Sequence, residues 1–358
     1  MGNVDNTRHY RIDKSRMLDN VLGMSRQVGD AWNMAEGLRL VNGEKDGPVV
    51  ICGMGGSAIG GLLLRDLIGR DAPVPIMLER GYTLPGFADE RTTVVCVSYS
   101  GNTEEVLSLL GDALHRGCRI AAITSGGKLL EEAERNGIPL LRIPGGLPPR
   151  AALGYLFMPI LRIVAECGIY RISGEEVASA VNTLEMLALQ YSLDASPAEN
   201  AAFQLAKKIY GRIPLIYSGN GLLAGAAYRW RCQFNENSKS MAFSNEFPEL
   251  GHNEIMGWDG SKKMGEDIFL VVLRDPEDHG RVRKRIAVTC SLLEPLAGGF
   301  TVVESIGDRG SRGRLARLMS VIMLGDCASV YLAVEYGRDP TPIGMIEDVK
   351  KKLGTEEE

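Results

Sequence analysis

Two short stretches rich in glycine and hydroxyl side chains each follow an apolar run in the first third of the chain. The first, Gly53 to Ala58, comes after VVIC, and the second, Ser98 to Thr103, comes after TTVVCV. Hydroxyls and unpaired amides at the start of a helix suit the terminal oxygens of a phosphate monoester. The candidate phosphate-binding residues are Gly55, Gly56, Ser57, Ser98, Ser100 and Thr103.

The glycine spacing of the first stretch also fits two alternatives. It suits a dinucleotide-binding loop, for which Glu79 at the end of the next apolar run would bind the ribose, and that would indicate a dehydrogenase. Glycine and alanine can also serve only to pack a helix against a strand. The hydroxyls of the second stretch favour phosphate, because a dinucleotide domain does not need them and an ordinary helix N-cap needs only one.

The elements that must position these residues alternate between short apolar strands and helix-like stretches. In the first half the strands are VVICG, VPIML, TTVVCVS, RIAAITS and PLLRIP, which is typical of a parallel sheet wrapped by helices. The second half repeats this pattern, with PLIYSGNGLLAGAAYRWRCQF aligned on VVICGMGGSAIGGLLLRDLI. Its counterpart of the hydroxyl stretch, Leu273 to Pro276, lacks hydroxyls and carries an acid, so we expect phosphate in the first half only.

The sequence therefore predicts an α/β protein of two doubly wound parallel-sheet domains related by an internal repeat. We expect an N-terminal helical segment at residues 1–45, a first domain at 46–150 and a helical connection at 151–200. A second domain follows at 201–340. Residues 341–358 should form a C-terminal helix, begun by Thr341 and Pro342 and ended at Gly354, and an acidic tail.

Composition excludes several classes of function. The 358 residues include 40 Lys and Arg against 45 Asp and Glu, so the formal charge of -5 argues against binding to nucleic-acid backbone or to anionic lipid. The longest apolar runs are interrupted by polar residues, the N-terminus is polar, and the 7 cysteines lie in apolar runs without metal-type spacing. We expect a cytosolic protein without disulfides, bound metal or cofactor.

Six motifs in this order resemble one enzyme family, the bifunctional phosphoglucose/phosphomannose isomerases built of two sugar-isomerase (SIS) domains. The motifs are GMGGSAIGG, SYSGNTEE, LPPRAALGYL, RWRCQFNENSK, FPELGHNE and DPTPIGMIEDVKK. The resemblance implies interconversion of glucose 6-phosphate and mannose 6-phosphate with fructose 6-phosphate through a cis-enediol, in a homodimer. A non-catalytic SIS regulator that binds the same sugar phosphates is the alternative from another class.

The resemblance also implies which residues carry out the reaction. Glu236 would be the base that moves a proton between C2 and C1, and Arg150 would face the enediolate oxygen. His252 would help to open the sugar ring, in its own or the partner subunit's site, and Lys350 is the other candidate for ring opening. Sequence alone leaves open that Glu236 and Arg150 are surface residues, that His252 is an idle loop residue, and that Lys350 to Lys352 only stabilise a helix C-terminus.

Overall fold

Two parallel β-sheets, one in each half of the chain, organise the fold. The structure, a computed structural model, describes residues 6–38, 47–260 and 262–353. The first sheet has the order β2-β1-β3-β4-β5 and consists of β1 Val49–Cys52, β2 Ile76–Glu79, β3 Thr93–Ser98, β4 Arg119–Thr124 and β5 Leu140–Arg142. The second has the order β7-β6-β8-β9 and consists of β6 Ile213–Gly219, β7 Phe243–Phe247, β8 Ile268–Arg274 and β9 Gly299–Glu304.

The two sheets share one strand order, which confirms the α/β fold with repeated doubly wound sheets. In each half the first strand lies between the second and the third, as in Val49 opposite Ile76 on one side and Thr93 on the other. The order therefore reverses between β1 and β3 and again between β6 and β8. Open α/β sheets bind their ligands outside the carboxyl ends of the strands at such reversals.

Helices cover both sheets and supply the connections. The helices that follow strands of the first sheet are α4 Gly55–Ile68, α5 Glu104–His115 and α6 Gly127–Arg135, and those of the second are α10 Ala224–Glu236, α11 Lys262–Glu266 and α12 Gly280–Leu293. The remaining helices are α1 Asn6–Ile12, α2 Met17–Leu22, α3 Met24–Met34, α7 Leu153–Glu166, α8 Gly174–Tyr191, α9 Ala201–Ile209, α13 Arg314–Glu335 and α14 Gly344–Leu353. In the described part of the chain, 3-10 helices occur at Gly69–Asp71, Pro149–Ala151, Glu249–His252, Glu254–Trp258 and Ser311–Gly313.

The C-terminal helix begins later than the sequence predicts, at Gly344 and not at Thr341-Pro342. The carbonyl oxygens of Pro340 and Thr341 accept hydrogen bonds from the Arg150 side chain, and the Thr341 amide donates to the Asp339 carboxylate. These bonds hold the segment outside a helix. The acidic tail and the predicted stop at Gly354 lie outside the described residues.

Helix α13 is the centre of the largest core. It packs against α8, α9 and α10, and its residues from Leu315 to Val334 are all buried. The Trp230 indole of α10 donates to the Val321 carbonyl oxygen of α13 at 2.9 Å and lies on Gly325, where an added Cβ would be 2.2 Å from the ring. By length and composition the helical stretch Ser311–Glu335 could cross a membrane, but 94% of its apolar window is buried inside the protein, as in a core helix.

Candidate active site

The first glycine-rich stretch forms the turn from β1 into α4. Gly55 adopts a positive φ of 51°, which a side chain would disfavour, and begins α4. An added Cβ at Gly56 would lie 3.0 Å from the Arg150 backbone nitrogen, so glycine allows the segment Pro149–Ala151 to lie directly on this turn. Ser57 is buried, and its Oγ accepts a hydrogen bond from the Tyr99 amide at 3.1 Å. This bond joins the turn to the hydroxyl-rich stretch after β3.

The hydroxyl-rich stretch forms a compact loop between β3 and α5. Ser98 Oγ lies 2.7 Å from Thr103 Oγ1 and accepts from the Gly101 amide at 3.1 Å. Thr103 is the N-cap residue of α5 but makes no side-chain capping bond, so the amides of the first turn are left for another acceptor. Ser100 is exposed, and its Oγ accepts from the Asn102 amide at 3.3 Å. Because β1 and β3 are neighbours, all six candidate phosphate-binding residues lie at one edge of the sheet.

Arg150 and Glu236 come from opposite halves of the chain and face each other beside this edge. Arg150 lies in the 3-10 helix Pro149–Ala151, is only 4% exposed, and therefore is not the surface arginine that the sequence left open. Burial lowers the pKa of its guanidinium, and Glu236 opposes that shift. Glu236 is the last residue of α10, its side chain is 27% exposed, and its Oε2 lies 3.7 Å from Arg150 Nη1.

His252 and Lys350 lie in other elements of the chain than Arg150 and Glu236. His252 ends the 3-10 helix Glu249–His252, Lys350 lies in α14, and both are exposed. Within the described ranges, neither residue makes a hydrogen bond or an ion pair with Arg150 or Glu236. The contacts within a single chain thus join the candidate phosphate-binding edge, Arg150 and Glu236.

Two further residues of the NENSK motif support the site, and the sequence analysis did not single them out. Asn237 Oδ1 accepts from Arg150 Nε at 2.6 Å. Lys239, at a positive φ of 54°, donates to the carbonyl oxygens of Glu236 at 2.7 Å and Pro340 at 2.9 Å. Desolvation, with the nearby charge of Arg150, lowers the pKa of Lys239 to about 8. In the sequence, only their place in the same motif as Glu236 indicated that these two residues belong to the site.

The residue that would bind a ribose in a dinucleotide site has its carboxylate engaged elsewhere. Glu79 Oε1 accepts from the backbone amides of Arg80 at 2.9 Å and Gly81 at 2.6 Å. The carboxylate thus closes its own turn, which accounts for an acid at this position without a nucleotide. Across residues 6–38, 47–260 and 262–353, no group of three or more His, Cys, Asp or Glu side chains is arranged to hold a metal ion.

The glycine loop of the second half faces a carboxylate of the chain itself. An added Cβ at Gly219 would lie 3.0 Å from Asp278 Oδ1, and one at Gly221 would lie 3.5 Å from the same atom. Asp278 Oδ2 also accepts from the Asp275 amide at 3.1 Å, and burial raises the pKa of Asp278 to about 6. An acid of the chain thus lies against the loop that corresponds to the candidate phosphate-binding turn of the first half.

The paired sheets and the hydroxyl-lined edge place the chain in the class of sugar-isomerase (SIS) domain proteins. A hypothetical protein of Thermus thermophilus has the same fold, with a TM-score of 0.72 at 15% identity over 98% of this chain and 94% of that one. A glucose-6-phosphate isomerase like protein of the same organism has a TM-score of 0.64 at 20% identity over 97% of this chain and 100% of that one. Residues 198–353 match the family described as bacterial phospho-glucose isomerase C-terminal SIS domain.

The chain belongs to the bifunctional phosphoglucose/phosphomannose isomerase family and is an isomerase, as the sequence motifs predict. A relative so named from Caldicellulosiruptor bescii is 40% identical over 94% of this chain and 98% of its own length. A second, from Aquifex aeolicus, is 37% identical over 85% of this chain and 90% of its own length. These relatives support neither of the alternatives, the SIS regulator and the dehydrogenase.

Proposed function

We propose that the chain interconverts glucose 6-phosphate and mannose 6-phosphate with fructose 6-phosphate through a cis-enediol formed in one site. The observation that carries this proposal is the Arg150–Glu236 pair, 3.7 Å apart beside the phosphate-binding edge. Aldose–ketose isomerisation needs a base near C1 and C2 and a cation for the oxygen that becomes negative. Removal of the C2 proton erases the difference between the two epimers, so one base serves both if the C2–C3 bond rotates in the site.

The phosphate of the sugar binds at the edge formed by the turn after β1 and the loop after β3. Ser100 and Thr103 supply hydroxyls, and the uncapped first turn of α5 supplies amides and the positive end of a helix. Ser57 and Ser98 are buried and bonded to the loop itself, so they shape the site as well as facing it. In this way the loops fix the distance from the phosphate to the reacting carbons.

Glu236 is the base in this proposal and Arg150 stabilises the oxyanion. Glu236 takes the proton from C2 of an aldose and returns it to C1 while the hydroxyl proton passes from O2 to O1, or does the reverse for fructose 6-phosphate. Arg150 Nε and Nη2 are occupied by Asn237, Pro340 and Thr341 oxygens, which leaves Nη1 to face the enediolate. A fixed donor aimed at the developing charge needs no reorganisation during the reaction.

Ring opening is the role we assign to His252 and Lys350, within a homodimer. Both are exposed, and each lies near exposed apolar side chains that a second copy would cover. Met256 is 67% exposed close to His252, and Met345 is 87% exposed in the same helix as Lys350. Ile346 and Val349 of that helix are exposed as well, and a contiguous exposed apolar strip of this kind is typical of an interface. A second copy would bring one or both ring-opening residues to the open side of the site.

We further propose that the protein works in the cytosol, without a metal ion, as two domains at residues 46–150 and 201–340. All seven cysteines are free, which suits a reducing compartment. Each sheet lies within one of these two ranges, and only the first carries the hydroxyl-lined edge.

The test of the proposal is Glu236→Gln, which keeps the shape of the side chain and removes the proton acceptor. We expect kcat to fall by about 100-fold to 10,000-fold for glucose 6-phosphate and for mannose 6-phosphate in parallel, with binding retained. Glu199→Gln, a change at an exposed carboxylate outside the site, is the matched control and should leave both activities unchanged. Parent-like turnover of Glu236→Gln with either aldose would remove Glu236 from the proposal.

Competition between the two aldose phosphates tests the single site independently. Each should inhibit conversion of the other competitively, and in deuterated water fructose 6-phosphate should give both aldoses labelled at C2. Non-competitive inhibition, or label in one epimer only, would require two sites or an enzyme specific for glucose 6-phosphate.

A further inference from the structure

A closed ring of hydrogen bonds lies behind the Arg150 guanidinium. Arg150 Nε donates to Asn237 Oδ1 at 2.6 Å, Asn237 Nδ2 donates to Ser329 Oγ at 2.9 Å, and Ser329 Oγ donates to the Asp326 carbonyl oxygen at 2.7 Å. The Asp326 carboxylate binds Arg229 Nη2 at 2.6 Å, and that nitrogen returns to the Arg150 carbonyl oxygen at 2.7 Å. All five residues are buried, and none is more than 4% exposed.

The ring fixes which way the Asn237 carboxamide points. Ser329 has a single hydroxyl hydrogen, which it donates to the Asp326 carbonyl oxygen, so its Oγ can only accept from Asn237. The nitrogen of the Asn237 carboxamide must therefore face Ser329, and its oxygen must face Arg150. A carboxamide held from one side in this way presents one acceptor at a fixed place on the other side.

The bound partners of the Arg150 guanidinium are all neutral. Nε donates to the Asn237 side-chain oxygen, and Nη2 donates to the carbonyl oxygens of Pro340 at 2.7 Å and Thr341 at 2.8 Å. Among the described residues, the carboxylate that pairs with Arg150 is that of Glu236, 3.7 Å from Nη1. Three neutral acceptors thus orient the cation without supplying a hydrogen-bonded counter-charge. Its positive charge remains available at Nη1, on the side of Glu236.

We propose that Asn237 is the positioning residue of Arg150: a neutral acceptor, locked by Ser329, that aims Nη1 at the reacting oxygens and adds no counter-charge of its own. This inference rests on the proposed function of Arg150 as the group that faces the enediolate. A carboxylate at position 237 would retain the aim, since it still accepts from Nε and the Ser329 hydroxyl can turn to donate to its second oxygen. It would also pair with the cation and weaken the field at Nη1.

The experiment compares Asn237→Asp, Asn237→Ala and the matched control Ser238→Ala. Ser238 is the next residue along the chain, is equally buried, and donates to the Ser329 carbonyl oxygen at 2.7 Å without contacting Arg150. Because charged donors aimed at an oxyanion carry large rate factors, we expect Asn237→Asp to lower kcat by about 10-fold to 100-fold with little change in KM. Asn237→Ala should fall into the same range, and Ser238→Ala should match the parent.

Titration calorimetry with two sugar phosphates then distinguishes a loss of positive charge at Nη1 from a general disruption of the site. Arabinonate 5-phosphate carries a carboxylate in place of the enediolate, and glucitol 6-phosphate carries the phosphate with a neutral end. In Asn237→Asp the dissociation constant of the first should rise by the same factor as kcat falls, while that of the second stays at the parent value. An equal loss for both ligands, or parent-like kcat in Asn237→Asp, would overturn the proposal.

Arg150→Lys distinguishes failure of this inference from failure of the proposed function. If Arg150→Lys loses turnover while Asn237→Asp keeps it, only the inference about Asn237 is wrong. If Arg150→Lys keeps parent turnover, the proposed role of Arg150 is wrong and the inference falls with it. Should Asn237→Asp fail to fold, Ser329→Ala takes its place, since it frees the carboxamide to turn. We then expect kcat to fall by about 2-fold to 10-fold, which corresponds to the loss of one hydrogen bond. A kcat of Ser329→Ala equal to that of Ser238→Ala would overturn the proposal.

Discussion

Ser100 and Ser98 lie two residues apart in the candidate phosphate-binding loop, yet the structure predicts different consequences for their loss. Ser100 is exposed, and its Oγ accepts one long bond of 3.3 Å from the Asn102 amide, so its hydroxyl hydrogen is free for a ligand. A hydrogen bond to a charged group contributes about 1.5 to 3 kcal/mol. At about 1.4 kcal/mol per factor of ten, Ser100→Ala should raise the dissociation constant of a sugar phosphate by about 10-fold to 150-fold. Its stability should stay within about 0.5 kcal/mol of the parent.

Ser98→Ala should instead cost stability as well as affinity. Ser98 is 1% exposed, lies 2.7 Å from the Thr103 hydroxyl and accepts from the Gly101 amide. Removal of a buried partner leaves polar groups unsatisfied, at a cost of about 1 to 3 kcal/mol in the free energy of unfolding. Thr103 also loses the contact that orients it.

The assay pairs urea unfolding with calorimetric titration of glucitol 6-phosphate. Ser108→Ala is the control, because its hydroxyl is exposed on the same helix α5 and donates to the Tyr82 carbonyl oxygen, away from the loop. It should match the parent in affinity. The reasoning is refuted if Ser100→Ala binds the ligand as tightly as the parent, or if it lowers the unfolding midpoint as much as Ser98→Ala.

Two further predictions concern buried charge. Asp326→Ala leaves Arg229 buried without its carboxylate, so the free energy of unfolding, measured in urea, should fall by about 3 to 5 kcal/mol. Glu335→Ala, in the partly exposed pair with Lys207, is the control and should change it by about 1 kcal/mol or less. Equal effects would contradict this. Burial raises the pKa of Asp278 to about 6 in the folded chain, so folding favours its protonated form and the parent loses stability as pH rises from about 4 to about 6. The melting temperature of Asp278→Asn relative to the parent should therefore rise over this pH range and level off above it; a difference that does not vary with pH would show that Asp278 titrates normally.

Much of the fold could be predicted from the sequence because it is local and repeated. Each strand of the first sheet is a short apolar run next to a helix-like stretch, and the copy of this pattern in the second half predicted the second sheet. The predicted start of the C-terminal helix was wrong by two to three residues, because a contact distant in sequence determines it. The carbonyl oxygens of Pro340 and Thr341 are bonded to Arg150, which is far away in the sequence.

Some parts of the candidate site are likewise local in sequence, and others depend on contacts between distant segments. The candidate phosphate-binding residues lie within two short stretches, so their residue types alone marked each stretch, whereas the structure shows that the two meet because β1 and β3 are neighbours. The pairing of Arg150 with Glu236 could not be predicted from spacing, because it depends on how the two halves pack. Only the family resemblance pointed to it. The surroundings of Asn237 were inaccessible for the same reason, since its partner Ser329 comes from α13.

The internal repeat shows how two similar halves can divide one reaction between them. In the first half the turn after β1 meets serine hydroxyls and is open to an anionic ligand. In the second half the corresponding turn at Gly219 and Gly221 meets the Asp278 carboxylate, an anion of the chain itself. A phosphate there would face like charge, which is costly in a partly buried site. The second half contributes instead the far end of its first helix, where Glu236 and Asn237 reach across to Arg150. In the proposed mechanism the first half thus retains the phosphate-binding end of the repeat, while the second supplies the base and the group that orients the cation.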